Sequence, residues 1–227
     1  MSEQQTVVAA RRLAGARNVF IGVGRPSTAA ILARMVHNPD LVLVYESGTI
    51  GAKPHKVPLS IGDGELAASA DLVVSVPEMF NYWIAPGRIE VAFLGAAQVD
   101  RTGNLNSTVI GDYEHPRTRL PGAGGAPEIA TGCDDVVVIV PHSQRTFVER
   151  LDFRTTVGAP SAVITDLGVL EPDPQTRELR LTALHPGVEV DDVRAATGFE
   201  LAVVEELERT EPASQTESDA LAELLAR

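Results

Sequence analysis

The chain has 227 residues, of which 44% are hydrophobic but only 4% aromatic, so one α/β domain spanning 1–227 with a core of Val, Ile, Leu and Ala is expected. With 19 basic against 31 acidic residues, the net charge of -12 opposes binding to nucleic acid or to a membrane surface, whose phosphates it would repel. A single cysteine, Cys133, excludes an internal disulfide and a cysteine-rich metal site. No apolar run approaches transmembrane length, so a cytoplasmic location is expected.

The opening MSEQQTVVAARRLAGA reads as a polar-capped helix. Residues 18–24 (NVFIGVG) form a short apolar run ending in glycines, and Pro26, Ser27 and the helically spaced AAILARMVH follow: strand, tight turn, helix. The same grammar recurs in LVLVY at 41–45 before a glycine-rich loop and in DLVVSV at 71–76 before Pro77 and a short helix. It returns in IEVAFLG at 89–95 and DVVVIV at 135–140. Continuous β-branched runs of this kind suit strands buried on both faces, which predicts an open, mostly parallel sheet with helices on both faces, a three-layer α/β arrangement.

Between Gly95 and Asp135 the chain is rich in Gly, Asn, Pro and Thr and keeps no sustained helical or strand period; so long a stretch inside a domain is expected to be functional. SAVITDLGVL (161–170) and RELRLTAL (177–184) follow as strand-like runs separated by the turn EPDPQT. VEVDDVRAAT then reads as a helix, and a polar, acidic tail from about residue 205 ends in a short helix.

Several familiar sites have no support. The histidines at 37, 55, 115, 142 and 185 show no i, i+4 pairing, and no Walker A loop occurs. Gly22-Val23-Gly24 follows a strand and precedes a helix but lacks the third glycine of a dinucleotide fingerprint, so it reads as a tight turn. Anionic ligands would draw on loop cations, and Arg25, Lys53, Lys56, Arg117 and Arg119 are the candidates; taken singly, each reads as ordinary surface charge.

Glu46 stands out by position. It directly follows the strand LVLVY at its carboxyl end, where open α/β sheets hold their ligands, and the residues after it are small or glycine. A carboxylate there could attack an activated carbonyl such as a thioester, or it could simply cap the turn. Local pattern alone favours the cap.

The accompanying segments change that balance. Glu46-Ser47-Gly48-Thr49-Ile50-Gly51 matches an E-[NS]-G-x-x-G-like turn, and Ile21-Gly22-Val23-Gly24-Arg25-Pro26 is similar to a G-[IL]-G-x-P turn, with arginine at its variable position. LGAAQVDRTGNLNST (94–108), running on through IGDYEHPRTRLPGAGGAPEIAT, completes the set, with VITDLGVL, LHPGV and ATGFEL further on. These segments, spread over almost the whole chain, resemble the β-type subunit of family I CoA-transferases, specifically the glutaconate CoA-transferase branch.

The resemblance implies a ping-pong transfer of CoA between an acyl-CoA and a (di)carboxylic acid of glutaconate or 3-oxoadipate type, through a glutamyl-CoA thioester on Glu46. CoA would be a substrate, with no permanently bound cofactor and no metal. It implies an α-type partner subunit, in a heterodimer or an α2β2 assembly, and an oxyanion position at Gly124 or Gly125. The neutral amides of Gln98, Asn104 and Asn106 can donate to a thioester or carboxylate oxygen, although Asn104 and Asn106 could equally stabilise turns. Gly22, Gly24, Gly48 and Gly51 would shape the supporting turns, while Asp100, Asp112 and His115 are expected to organise their loop. Two other readings stay open: an acyl-CoA hydrolase or decarboxylase on the same scaffold, and a non-catalytic nucleotide-binding subunit.

Overall fold

A computed structural model describes residues 2–158 and 160–226, and the chain divides into two compact units. The first comprises residues up to Leu94, the short return Gly132–Asp135 and the C-terminal segment from Ala213. Its strands are β1 (Asn18–Ile21), β2 (Val42–Tyr45), β3 (Thr49–Ile50), β4 (Leu72–Val73) and β5 (Val91–Leu94), in the order β5-β1-β2-β3-β4. β1 pairs parallel with both β2 and β5, whereas β3 and β4 add antiparallel.

The central strands form for the reason their sequence suggests. Val19, Phe20, Ile21, Leu43, Val44 and Tyr45 are all essentially inaccessible, so neither face of β1 or β2 meets water. The helices of this unit are α1 (Glu3–Arg11), α2 (Arg25–Val36), the short α3 (Gly64–Ser69) and α4 (Val76–Glu78), and, at the end of the chain, α7 (Gln215–Ala226). α2 packs against β1, α1 and α7, and its Ala29, Ala30 and Ala33 are buried, small enough to let neighbouring elements approach closely. α1 and α7 are further joined by the bidentate pair Arg11–Glu217, at 2.7 Å for each bond.

The second unit comprises Gly95–Thr131 and Val136–Pro212. It contains two small hairpins, β6 (Gln98–Val99) with β7 (Leu105–Asn106) and β8 (Val109–Gly111) with β9 (Pro116–Arg119). The helices α5 (Ala126–Gly132) and α6 (Val190–Ala195) accompany them. Its larger strands, in the order β14-β13-β12-β11-β10, are β10 (Asp135–Ile139), β11 (Ala162–Ile164), β12 (Gly168–Pro172), β13 (Leu179–Leu184) and β14 (Ala202–Arg209). β10 pairs parallel with β11 and β13 with β14, while β11, β12 and β13 run antiparallel in turn. The α/β class read from the sequence, built on parallel strands with helices against them, is therefore present.

Four details differ from the sequence reading. The run 71–76, read as a strand buried on both faces, gives only β4, two exposed residues paired antiparallel at the end of the strand order. The run 161–170 is two strands, because the backbone reverses at Thr165–Gly168, where the Thr165 N–H donates to the Gly168 carbonyl at 2.9 Å. The stretch 95–135 contains strands of only two to four residues, too short to leave a period. The acidic tail begins later than residue 205, because AVVEELER forms β14 at the end of the strand order; its charged side chains suit a strand with an open edge. The C-terminal helix is found as expected, as α7.

Candidate active site

Glu46 and Ser47 occupy the central positions of the turn between β2 and β3, closed by the Gly48 N–H donating to the Tyr45 carbonyl at 2.9 Å. Gly48 has φ +99, and a Cβ built there would lie 2.0 Å from the Val74 carbonyl oxygen, so no other residue fits. The Val74 N–H returns a bond to the Gly48 carbonyl at 2.9 Å. Gly51 has φ +69 and would drive a Cβ to 2.3 Å from the Asp71 carboxylate, which also pairs with Lys53. The glycine spacing after Glu46 thus has a steric cause, and it leaves Glu46 half-buried on a rigid turn.

The hydroxyls of Ser47 and Thr49, either side of Gly48, are buried without a hydrogen-bond partner among the described residues. Both retain unused donor and acceptor capacity in the segment that carries Glu46.

The glycine turn at the end of β1 lies in the same unit. Gly24, at φ +81, is the N-cap of α2, and its carbonyl accepts from both the N–H and the hydroxyl of Thr28, each at 3.0 Å. Gly22 has an ordinary φ and open space where a Cβ would go, so its conformation does not demand glycine. The first turn of α2 is tied to β2 by the Ser27 hydroxyl and the Tyr45 phenol, 2.9 Å apart and both buried. Burial pushes the Tyr45 phenol up to about 12, against the opposing effects of Ser27 and Arg34.

The other expected site residues lie in the second unit. Asn106 Nδ2 donates to Gln98 Oε1 and to the Val109 carbonyl, both at 2.7 Å, while Asn106 Oδ1 accepts from the N–H groups of Thr108 and Val109. Gln98 Nε2 in turn donates to Asp152 at 3.1 Å, and the Gly111 N–H donates to the same carboxylate oxygen at 2.9 Å. Asn106 is thereby committed to internal bonds. Gln98, 6% exposed, keeps one amide hydrogen beyond its bond to Asp152 and borders an open cavity.

Asn104 belongs to a separate set, donating to Asp100 and Thr102 and accepting from the Gly158 N–H at 3.1 Å. Asp100 accepts from Thr102 and Asn104, and Asp112 from the N–H groups of Glu114 and His115, so these acids organise their loops as the sequence suggested. Gly122 is pinned by Ser107, which accepts the Gly122 N–H on its carbonyl and donates its hydroxyl to the Gly122 carbonyl. Gly124 (φ +49) is exposed and Gly125 is buried just before α5.

Sequence reasoning did not find Asp152, which no motif marks, or the Ser27–Tyr45 bond, which joins residues 18 apart. Of the loop cations, Arg25 bonds Gln5, Arg119 sits over the Tyr113 ring and Arg117 borders the cavity beside Gln98. Burial pushes the Cys133 thiol up to about 12, far from a reactive thiolate. Among the described residues no cluster of three His, Cys, Asp or Glu could hold a metal ion, and no helix is long and apolar enough to cross a membrane.

The model of the coenzyme A transferase family matches residues 2–196. A 3-oxoadipate CoA-transferase subunit from Pseudomonas knackmussii is 50% identical over 242 aligned positions, covering 100% of this chain and 93% of that protein. The crystal structure of glutaconate coenzyme A-transferase from Acidaminococcus fermentans superposes with a TM-score of 0.90 at 32% identity, covering 98% of this chain and 93% of that one. The decarboxylase AibA/AibB superposes with a TM-score of 0.89 at 28% identity, covering 99% and 94%. A family match over most of the chain, with end-to-end similarity to a CoA-transferase subunit, establishes that this protein belongs to the coenzyme A transferase family.

Proposed function

We propose that residues 1–227 act as one β-type module of a cytoplasmic, heteromeric CoA-transferase, joined by an α-type subunit as a heterodimer or α2β2 assembly. The enzyme moves CoA between an acyl-CoA and a dicarboxylic acid. The higher identity to the 3-oxoadipate enzyme's chain favours a 3-oxoadipate-type substrate over a glutaconate-type one. The observation that carries the reading is the turn itself: Glu46 sits at the end of a buried parallel strand, on a loop whose glycines admit no side chain.

The Glu46 carboxylate attacks the thioester carbonyl, its C–S bond breaks, and a mixed anhydride and the CoA thiolate result. The thiolate attacks the glutamyl carbonyl, releasing the first acid as its carboxylate and leaving glutamyl-CoA. The acceptor carboxylate then runs the two steps in reverse. CoA is a substrate here, and the cycle calls on no bound cofactor.

Each attack places negative charge on a carbonyl oxygen, which fixed donors must meet; losing one such donor costs about 3–4 kcal/mol of barrier. The N–H groups at Gly124 and Gly125 and the Gln98 amide are assigned to that work. Asn104 and Asn106 are assigned to holding the loops that carry it, in keeping with their internal bonds.

The test is mass spectrometry of the protein assembled with an α-type partner and incubated with a panel of acyl-CoAs. A CoA adduct, or a borohydride-reduced product, is expected on the Glu46 peptide, and Glu46→Gln is expected to lose at least about 1,000-fold in turnover. Near-normal turnover by that variant would leave Glu46 structural and the transferase cycle unsupported. The similarity to a decarboxylase favours a second reading, in which the assembled protein consumes acyl-CoA without any acceptor acid; release of carbon dioxide or free CoA under those conditions identifies it.

A further inference from the structure

β4 ends the strand order of the first unit, with β3 as its one neighbour. Leu72 and Val73 are adjacent on it, so their side chains point to opposite faces of the sheet, yet they are 47% and 56% exposed. Neither face is covered at this end. β14, which ends the strand order of the second unit, instead carries Glu205, Glu206, Glu208 and Arg209 where water reaches it. Strand edges that stay in water are defended by charge in this way, and an aliphatic edge is one that another chain covers.

The apolar surface continues along the chain. Val76 is 47% and Tyr82 60% exposed, and between Asp71 and Arg88 only Met79 and Ile84 are buried. In a chain that is 22% charged, residues 72–86 hold a single charge, Glu78, whose carboxylate is turned back to accept from the N–H and the hydroxyl of Ser75. The same residues include the only tryptophan, Trp83, together with Phe80 and Tyr82. Scarce charge and clustered aromatics mark the centre of a protein interface.

This surface is held in shape before any partner arrives. Ser75 and Glu78 cap α4 reciprocally, and Met79–Ile84 forms a π-helical turn, a form frequent at functional sites. The N–H groups of Ala85, Gly87 and Arg88 bond back to the carbonyls of Phe80, Ile84 and Trp83, each at 2.9 Å. A preordered face loses little conformational freedom when it is covered.

Size, charge and position select the occupant. One side of a stable interface uses about 20–30 residues, and residues 71–88, all but two of them accessible, supply over half of that. Two copies of this chain would each bring a net charge of -12, which opposes self-association. Val74 donates its N–H to the Gly48 carbonyl, so whatever covers the residues either side of it borders the turn that carries Glu46.

We propose that the apolar face of residues 72–86 is where the α-type subunit docks, against the open edge of β4 and the aromatic turn that follows. The identity of the occupant rests on the transferase reading above; the docking face does not.

Because Trp83 is the only tryptophan, the full-length chain grown with 5-fluorotryptophan reports on this face alone. Its fluorine resonance should shift when an unlabelled α-type subunit is added, a readout that needs no variant. In sedimentation velocity, Val73→Glu and Tyr82→Glu should each weaken the complex about tenfold or more, because the partner would bury an unpaired carboxylate. Leu59→Glu, at a side chain 90% exposed elsewhere in the same unit, should change it less than about twofold. Thermal melts establish that the variants are folded.

A complex that forms with the resonance unmoved and both variants binding normally overturns the proposal, and leaves the transferase reading intact if that complex transfers CoA. Self-association of the chain alone, abolished by the same two variants, overturns it in favour of a second copy. Failure of the parent chain to bind any α-type subunit overturns it as well. A complex made through this face that transfers no CoA upholds the docking surface and sinks the transferase reading.

Discussion

The hydroxyl of Ser27 and the phenol of Tyr45 meet at 2.9 Å in a site closed to water, joining the first turn of α2 to the last residue of β2. The residue after Tyr45 is Glu46, so this bond fixes the strand end from which the carboxylate projects. Tyr45→Phe leaves the Ser27 hydroxyl buried and unpaired, which costs about 1–3 kcal/mol. Urea denaturation of the two single variants and of Ser27→Ala, Tyr45→Phe should show the double variant less destabilised than the sum of the singles, by about 0.5–3 kcal/mol. Additive effects would mean the two groups do not interact.

Gly48 and Gly22 separate steric need from mere permissiveness. Gly48→Ala forces a Cβ against the Val74 carbonyl at a positive φ, and a loss on the order of 3 kcal/mol or outright misfolding is expected. Gly22→Ala meets open space and should change stability by about 0.5 kcal/mol or less. Equal tolerance of both in chemical denaturation would contradict the turn geometry.

Asn106 has an inaccessible side chain with four hydrogen bonds, one of them to Gln98. Asn106→Ala leaves the Val109 carbonyl and two N–H groups without their partner, a predicted destabilisation of about 2–4 kcal/mol. Because Gln98 loses its anchor, the variant should also lose turnover in the assembled enzyme. A folded, fully active Asn106→Ala protein would place Gln98 outside any positional role.

His142 makes stability depend on pH. Both ring nitrogens meet threonine hydroxyls, Thr165 at 3.1 Å and Thr197 at 2.9 Å, and the ring stacks on Phe147. Burial pushes the imidazole down to about 4, against the smaller opposing pull of Asp166. The fold therefore prefers the neutral ring. Its contribution is complete above an unfolded pKa of about 6.5 and is lost as pH falls from there towards 4, on the order of 3 kcal/mol in all. His185, also lowered by burial, acts in the same direction. Urea midpoints measured from pH 7.5 to 4 should fall with acid, and less steeply in His142→Gln; identical slopes would remove His142 as the cause.

Much of the fold was legible because its strands are continuous apolar runs, and burial on both faces leaves that mark in sequence. β14 was not, since a strand that is mostly exposed carries charge and reads like a polar tail. The hairpins between residues 98 and 119 escaped for a different reason: strands of two to four residues are too short to show a period of two.

The candidate site divides along the same line. By itself the sequence determined the α/β class, the glutamate at a strand end and the glycines around it, because backbone sterics are local and act within a few residues. Only the tertiary structure decided that Gly48 is obligatory through Val74, that Asn106 and Asp152 hold Gln98, and that Arg117, Arg145 and Arg150 border one cavity. The two hydrogen-bonded pairs join residues 8 and 54 positions apart, and the cavity brings together like charges that a linear reading counts as ordinary surface. Such pairings depend on how strands and loops return through space, which local pattern does not encode.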